Sequence, residues 1–197
     1  LFVEILPKTP RYTRLTRIVR DIPSNEIVDG NKSTNFRQIA EEEIKRVGKK
    51  IQDIRSREIR DEEVKWDDLE LETINYETTV SREFFISYKT KKTDKICSFL
   101  RLSLPKRESY IEEIKGSAMI REVHVYGSLV NIGSDSSGES QHLGLGKKMI
   151  EIAEEISLKE GFNIIAVITA IGTKEYYKKR GFVNNSLYMT KTIKKKA

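Results

Sequence analysis

Residues 141 to 146 read Gln-His-Leu-Gly-Leu-Gly and run directly into Lys147, Lys148, Met149, Ile150 and Glu151, the opening of a helical pattern. No other stretch restricts the chain so much. Two glycines separated by one residue let the backbone approach a ligand closely, because no side chain stands in the way. The first amide N–H groups of a helix lack an intrahelical acceptor, and the helix dipole adds positive partial charge at the same end. A glycine-rich entry into a helix therefore suits a bound pyrophosphate. Six residues alone suit a plain turn before an ordinary amphipathic helix equally well, so the rest of the chain must decide.

A chain of 197 residues can hold one sizeable domain with an appendage, or two small ones. A formal net charge of +6 favours a polyanionic partner without establishing one. No apolar run approaches the roughly 20 residues of a membrane helix, and the start lacks a signal-peptide pattern, so no membrane partner is expected. Cys97 is the only cysteine. That excludes an intrachain disulfide and a cysteine-held zinc or iron–sulfur site, and makes a cytoplasmic home the expectation. Because it opens at Leu1 rather than methionine, the sequence reads as a fragment of something longer.

Leu1 to Pro10 reads as an extended segment stopped by Pro7 and Pro10. Arg11, Arg14, Arg17 and Arg20 then recur every third residue, and on a helix they would form one slowly drifting stripe. Such a stripe suits phosphate contacts, although charge runs are more often a solvated face. After a polar loop to Thr34, Phe36, Ile39, Ile44 and Val47 mark a helix ended by Gly48, followed by more base including Arg55 and Arg57. An acidic cluster around Trp66 marks a change of subdomain, giving a basic linker over residues 1–68 and a second domain over residues 69–197.

From Leu69 the period becomes that of strands: an antiparallel meander through Phe84–Tyr88 and Ile96–Leu104, then a strand over Ala118–Tyr126. On that strand Val123 and Val125 share one face and Glu122, His124 and Tyr126 the other. Asn131 to Ser140 is rich in Gly, Ser and Asp and reads as a mobile loop directly before the glycines. Met149, Ile152, Ala153 and Ile156 give the next helix its apolar stripe, closed by Gly161. Asn163–Thr169 reads as a strand buried on both faces, Lys174–Arg180 as a short helix stopped by Gly181, and Phe182 to Thr192 as a final hairpin.

This order of elements resembles the GNAT acyl-CoA N-acyltransferase fold: an α/β protein with a mixed sheet, here carrying a mainly helical N-terminal linker. The run Tyr176-Tyr177-Lys178-Lys179-Arg180-Gly181-Phe182 resembles that family's aromatic pair followed by Gly-Phe. The resemblance implies acetyl-CoA as cofactor, held by Gln141, Gly144, Leu145, Gly146 and Lys147 at its pyrophosphate and by the backbone from Glu122 through Val123 and His124 to Val125 at its pantetheine. It implies Tyr177, with Tyr176 beside it, as the hydroxyl that protonates the leaving thiolate.

More specifically, Thr-Arg-Ile-Val-Arg-Asp-Ile-Pro at 16 to 23, Ile-Arg-Ser-Arg-Glu at 54 to 58, Arg-Glu-Val-His-Val-Tyr-Gly-Ser at 121 to 128 and both motifs above resemble the family of Elongator catalytic subunits. Nearly the whole chain is covered, as linker plus acetyltransferase domain. The resemblance implies a tRNA-modifying enzyme in which acetyl-CoA supplies the acetyl unit for carboxymethylation of the wobble uridine, with tRNA triggering turnover. The radical S-adenosylmethionine (SAM) domain, with its iron–sulfur cluster, would lie upstream in the same polypeptide; other Elongator subunits or a homo-oligomer are further partners. Arg11, Arg14, Arg17, Arg20, Arg55 and Arg57 become tRNA-contacting or domain-docking residues, and Asn131–Ser140 a gate over the coenzyme. Some relatives carry zinc-binding cysteines near Ile-Arg-Ser-Arg-Glu; this chain has Ile51, Asp53 and Ser56, so no metal is expected.

Glu122 and His124 could steer a water as base, or be satisfied polar neighbours of the cofactor, and His142 could simply pack within the glycine stretch. A protein lysine acetyltransferase and a non-catalytic tRNA-binding module that senses acetyl-CoA stay open as alternatives.

Overall fold

The computed structural model describes residues 1–16, 24–30, 32, 35–60, 62, 64–126 and 144–194. The loop expected over residues 131–140, together with Gln141, His142, Arg17 and Arg20, lies outside the described residues. The chain divides into two compact units, Leu1–Glu58 and Ile59–Ala197.

The first unit is helical. Its opening segment, expected to be extended, is instead a helix, α1 (Phe2–Lys8), with Pro7 inside its last turn. Burial explains the difference. Leu6 closes a small apolar cluster with Ala40 and Ile44 of α2 (Phe36–Arg46), and the Phe2 ring meets Phe36 edge-on at 5.2 Å. These contacts reward helix over a segment too short for one proline near its end to forbid it. Gly48 ends α2 as expected: its amide reaches the Lys45 carbonyl while Lys49 N–H reaches Ile44.

The arginine stripe does not form as a helix over its described part, since Arg11 lies in a turn and Arg14 outside any helix or strand. Here tertiary partners outweigh spacing. Arg14 donates from Nε and Nη2 to Glu58 at 3.0 and 2.9 Å. Arg57, in α3 (Ile54–Arg57), is only 5% exposed and donates to the carbonyls of Gln52 and Arg11.

The second unit is built on a seven-stranded mixed sheet. β1 (Leu69–Glu77), β2 (Ser81–Thr90), β3 (Ile96–Pro105) and β4 (Ser117–Val125) form the expected antiparallel meander. β5 (Ile164–Val167) runs parallel to β4, and β7 (Met189–Thr192) pairs antiparallel with both β5 and the short β6 (Val183–Asn184). A mixed sheet with one parallel step at its middle is the GNAT arrangement that the order of elements implied. Trp66 is pinned edge-on to Tyr88 at 5.5 Å, with the Lys148 ammonium 4.4 Å from its ring centre.

Helix α4 (Leu145–Lys159) packs on β2 through β5. Of the expected stripe Met149 and Ala153 are buried, joined by Leu145, Ile150 and Ser157, while Ile152 and Ile156 are only half-buried. The expected pattern chose the larger apolar residues. The sheet instead selects a row displaced towards Ile150 and Ser157, and Ser157 enters it by returning its hydroxyl to the Ala153 carbonyl at 2.7 Å.

Candidate active site

β4 does not alternate cleanly. Arg101 of β3 faces Glu122 while Leu102 faces Ile120, so Arg121 is an extra residue that bulges the strand. A buried carboxylate anchors the bulge. Glu83 accepts from Ser81 Oγ at 2.6 Å and Ser103 Oγ at 2.7 Å on one oxygen, and from Arg121 Nη1 at 3.1 Å on the other. Pairing between β4 and β5 runs only from Ser117–Ile164 to Ile120–Val167. Beyond it β4 continues to Val125 while β5 has ended, and Ile168, expected to be buried in that strand, is 59% exposed.

The space so opened is a cleft of about 490 Å³. One wall is Arg121, Glu122, Val123 and Val125; the other is Val167 to Ala170; Gly144, Gly146 and Lys147 close one end, and Tyr176, Tyr177 and Arg180 another. Gly144 caps α4 in the left-handed region at φ 66°, where an L side chain is strained, and its carbonyl accepts the first helical bond from Lys148 at 3.1 Å. The amides of Leu145, Gly146 and Lys147 thus fall in the first turn, whose donors a helix cannot satisfy itself. Leu145 is fully buried and does not line the cleft, whereas Lys147 does, is exposed and lies 3.8 Å from Glu151.

Gly146 has a second reason to be glycine. A Cβ there would run into the Tyr176 hydroxyl, and it would lie 3.6 Å from a Val125 methyl. Gly146→Ala is expected to leave the melting temperature nearly unchanged, because alanine's helix propensity offsets the crowding. It should weaken acetyl-CoA about tenfold, or ~1.4 kcal/mol, by displacing Tyr176. A thermal melt checks the first part and isothermal titration the second, and an unaltered affinity would refute this role for the glycine.

The two tyrosines come from α5 (Lys174–Lys178), whose end explains the Gly-Phe that follows. Gly181, at φ 84°, donates to the Lys178 carbonyl and lets the Phe182 amide reach back to Tyr177 at 3.2 Å. The Phe182 ring then packs edge-on to Tyr177 at 5.4 Å. Tyr177 is 7% exposed, and burial first, then the neighbouring Tyr176, pushes its hydroxyl up to about 12. Tyr176 is half-buried and raised by burial, with Arg180 pulling the other way.

The expected cofactor residues Glu122, Val123, Val125, Gly144, Gly146, Lys147 and Tyr177 therefore meet in one cleft, as does Tyr176. His124 does not line it. Its ring stacks on Phe99 at 5.7 Å and 9°, on the sheet face away from Val123 and Val125, and Glu122 pairs with Arg101 at 3.0 Å. In the first unit Arg55 donates to the Thr16 carbonyl at 3.0 Å from an exposed position, and Arg57 is turned inward as described above. Sequence reasoning missed Arg121 and Arg180. A bulge leaves no signal in alternation, but Arg180 stands four residues after Tyr176, where a helix brings side chains together. Among the described residues no His, Cys, Asp and Glu cluster could hold a metal ion, and no helix is long and apolar enough to cross a membrane.

No family model matches the chain. It is 35% identical over 199 residues to Elongator complex protein 3 of Drosophila melanogaster, covering 98% of this chain and 36% of that protein. It is 34% identical over 200 residues to Elongator complex protein 3 of Homo sapiens, covering 98% and 37%. A solved structure of the archaeal Methanocaldococcus infernus Elp3, lacking residues 1–46, superposes with a TM-score of 0.83 at 30% identity, over 97% of this chain and 47% of that one. The chain thus spans little more than a third of the curated relatives it matches.

Proposed function

The chain is a homologue of Elongator complex protein 3 over about 36% of that protein's length, and from that premise we propose that it is an acetyl-CoA-dependent acyltransferase domain acting on tRNA. The observation that carries the reading is the meeting, in a single cleft, of a glycine-capped helix N-terminus, a strand edge left open by the Arg121 bulge and a buried tyrosine.

Each part has a chemical task. The first-turn amides of α4 would hold the pyrophosphate, with Lys147 adding charge. The β4 edge from Glu122 to Val125 would take the pantetheine amides as a further strand. Bound acetyl-CoA supplies an activated thioester. Tyr177 is protonated at neutral pH, as any tyrosine is, and burial, which raises it to about 12, keeps it so well into the alkaline range; it can deliver that proton to the departing sulfur. The acceptor in this reading is the wobble uridine of tRNA: the methyl carbon of the acetyl unit becomes bonded to the base, and water replaces sulfur at the carbonyl, leaving a carboxymethyl group on the uridine and free coenzyme A. A radical SAM domain of the same polypeptide, with its iron–sulfur cluster, would complete that chemistry. Arg11, Arg14, Arg17, Arg20 and Arg55 are the proposed tRNA contacts, and Arg57 supports the segment that carries them.

The test is acetyl-CoA hydrolysis with and without tRNA. Stimulation by tRNA supports the reading, whereas hydrolysis indifferent to tRNA, with acetyl groups appearing on lysine peptides, would replace it with a protein acetyltransferase.

A further inference from the structure

Arg180 lies one helical turn beyond Tyr176, with its guanidinium carbon 3.3 Å from the Tyr176 ring centre. Its Nη1 donates to the Tyr176 carbonyl. Its Nε is buried and has no hydrogen-bond partner among the described residues. A buried N–H left unpaired is costly, so hydrogen bonding alone does not account for where the guanidinium sits. What the placement does achieve is to fix the ring of Tyr176, whose hydroxyl lies against Gly146 where the cofactor cradle begins. Both side chains line the cleft.

We infer that Arg180 is a positioning residue for cofactor binding: by stacking on Tyr176 it holds that hydroxyl at Gly146, where it serves as a side-chain donor to acetyl-CoA beside the α4 amides. This rests on the acyl-CoA reading of the cleft. A cation at the end of a helix would also complement its dipole and cap a carbonyl. Lysine would do that as well as arginine, but lysine has no plane to lay over a ring. The two roles therefore separate on one substitution.

The experiment is isothermal titration of acetyl-CoA into the full chain and into Arg180→Lys, Arg180→Leu, Tyr176→Phe and the double variant Arg180→Lys/Tyr176→Phe, each with its melting temperature. Arg180→Lys is expected to weaken acetyl-CoA about five- to tenfold at an unchanged melting temperature. Arg180→Leu, which keeps bulk but removes the cation, should weaken it to a similar extent. Because Arg180 acts through the hydroxyl, the double variant should bind no more weakly than Tyr176→Phe alone. Unchanged affinity in Arg180→Lys, or a double variant that loses the product of the single effects, would overturn the inference while leaving the acyl-CoA reading intact. An unsubstituted chain that does not bind acetyl-CoA would overturn both.

Discussion

Tyr177→Phe is expected to lower acyl transfer about 100-fold while acetyl-CoA affinity changes little. The hydroxyl is held at the cleft by a ring packed on Phe182 and by a helix end tied through Gly181, so phenylalanine should occupy the same place without its proton. Loss of a positioned general acid costs roughly 10²–10⁴ in rate, and the lower end applies where water can replace it in an open cleft. Single-turnover release of coenzyme A, set beside calorimetric affinity, separates the two quantities. A variant that turns over at the parental rate would show that another group protonates the thiolate.

The pH dependence follows from the same burial. Tyr177 is raised from its ordinary value of 10.0 to about 12, so its acid form persists through the neutral range and no loss of rate with rising pH should trace to it there. The folded chain also keeps this proton where the unfolded chain releases it. Stability therefore falls as pH climbs from 10.0 towards 12, because the unfolded state binds fewer protons over that interval. Tyr177→Phe should lessen that alkaline loss of stability.

Phe182→Ala should have the largest effect on folding. The ring is 3% exposed, meets Tyr177 at 5.4 Å and lies beneath the Lys191 ammonium at 5.9 Å. Truncating a buried aromatic to alanine costs about 3–5 kcal/mol in lost transfer energy and cavity, a large share of the ~5–15 kcal/mol that holds a domain folded. Phe182→Leu, which keeps most of the volume, should cost under about 1.5 kcal/mol. Urea unfolding measures both, and a loss below about 1 kcal/mol for Phe182→Ala would mean the pocket collapses around the deletion. Activity should fall more than stability alone explains, because Tyr177 loses the surface that sets its ring.

Much of the candidate site was legible from residues because its chemistry is local. A glycine at a helix entry and another after an aromatic pair each demand a backbone conformation that neighbours along the chain cannot change, so Gly144 and Gly181 mark the start of α4 and the end of α5 directly. The meander was equally legible, since period-two alternation depends only on which face is buried.

Local rules failed where distant partners intervene. Pro7 argued against a helix until the packing of Leu6 on Ala40 and Ile44 favoured one. The arginine spacing suggested an exposed stripe until Glu58 captured Arg14, and Arg57, expected at a phosphate surface, was captured by backbone carbonyls. The His124 imidazole was a candidate to steer a water until its stacking on Phe99 occupied it.

The amino-acid sequence by itself determined the turns, caps and donors of the cleft, because dihedral preference and side-chain chemistry reside within a few residues. Only the tertiary structure decided that a cleft exists. Its opening depends on Glu83 and Ser103, far along the chain from Arg121, holding one extra residue in β4 so that β4 and β5 part after Ile120. Register between strands is a property of the pair, and neither strand carries it alone.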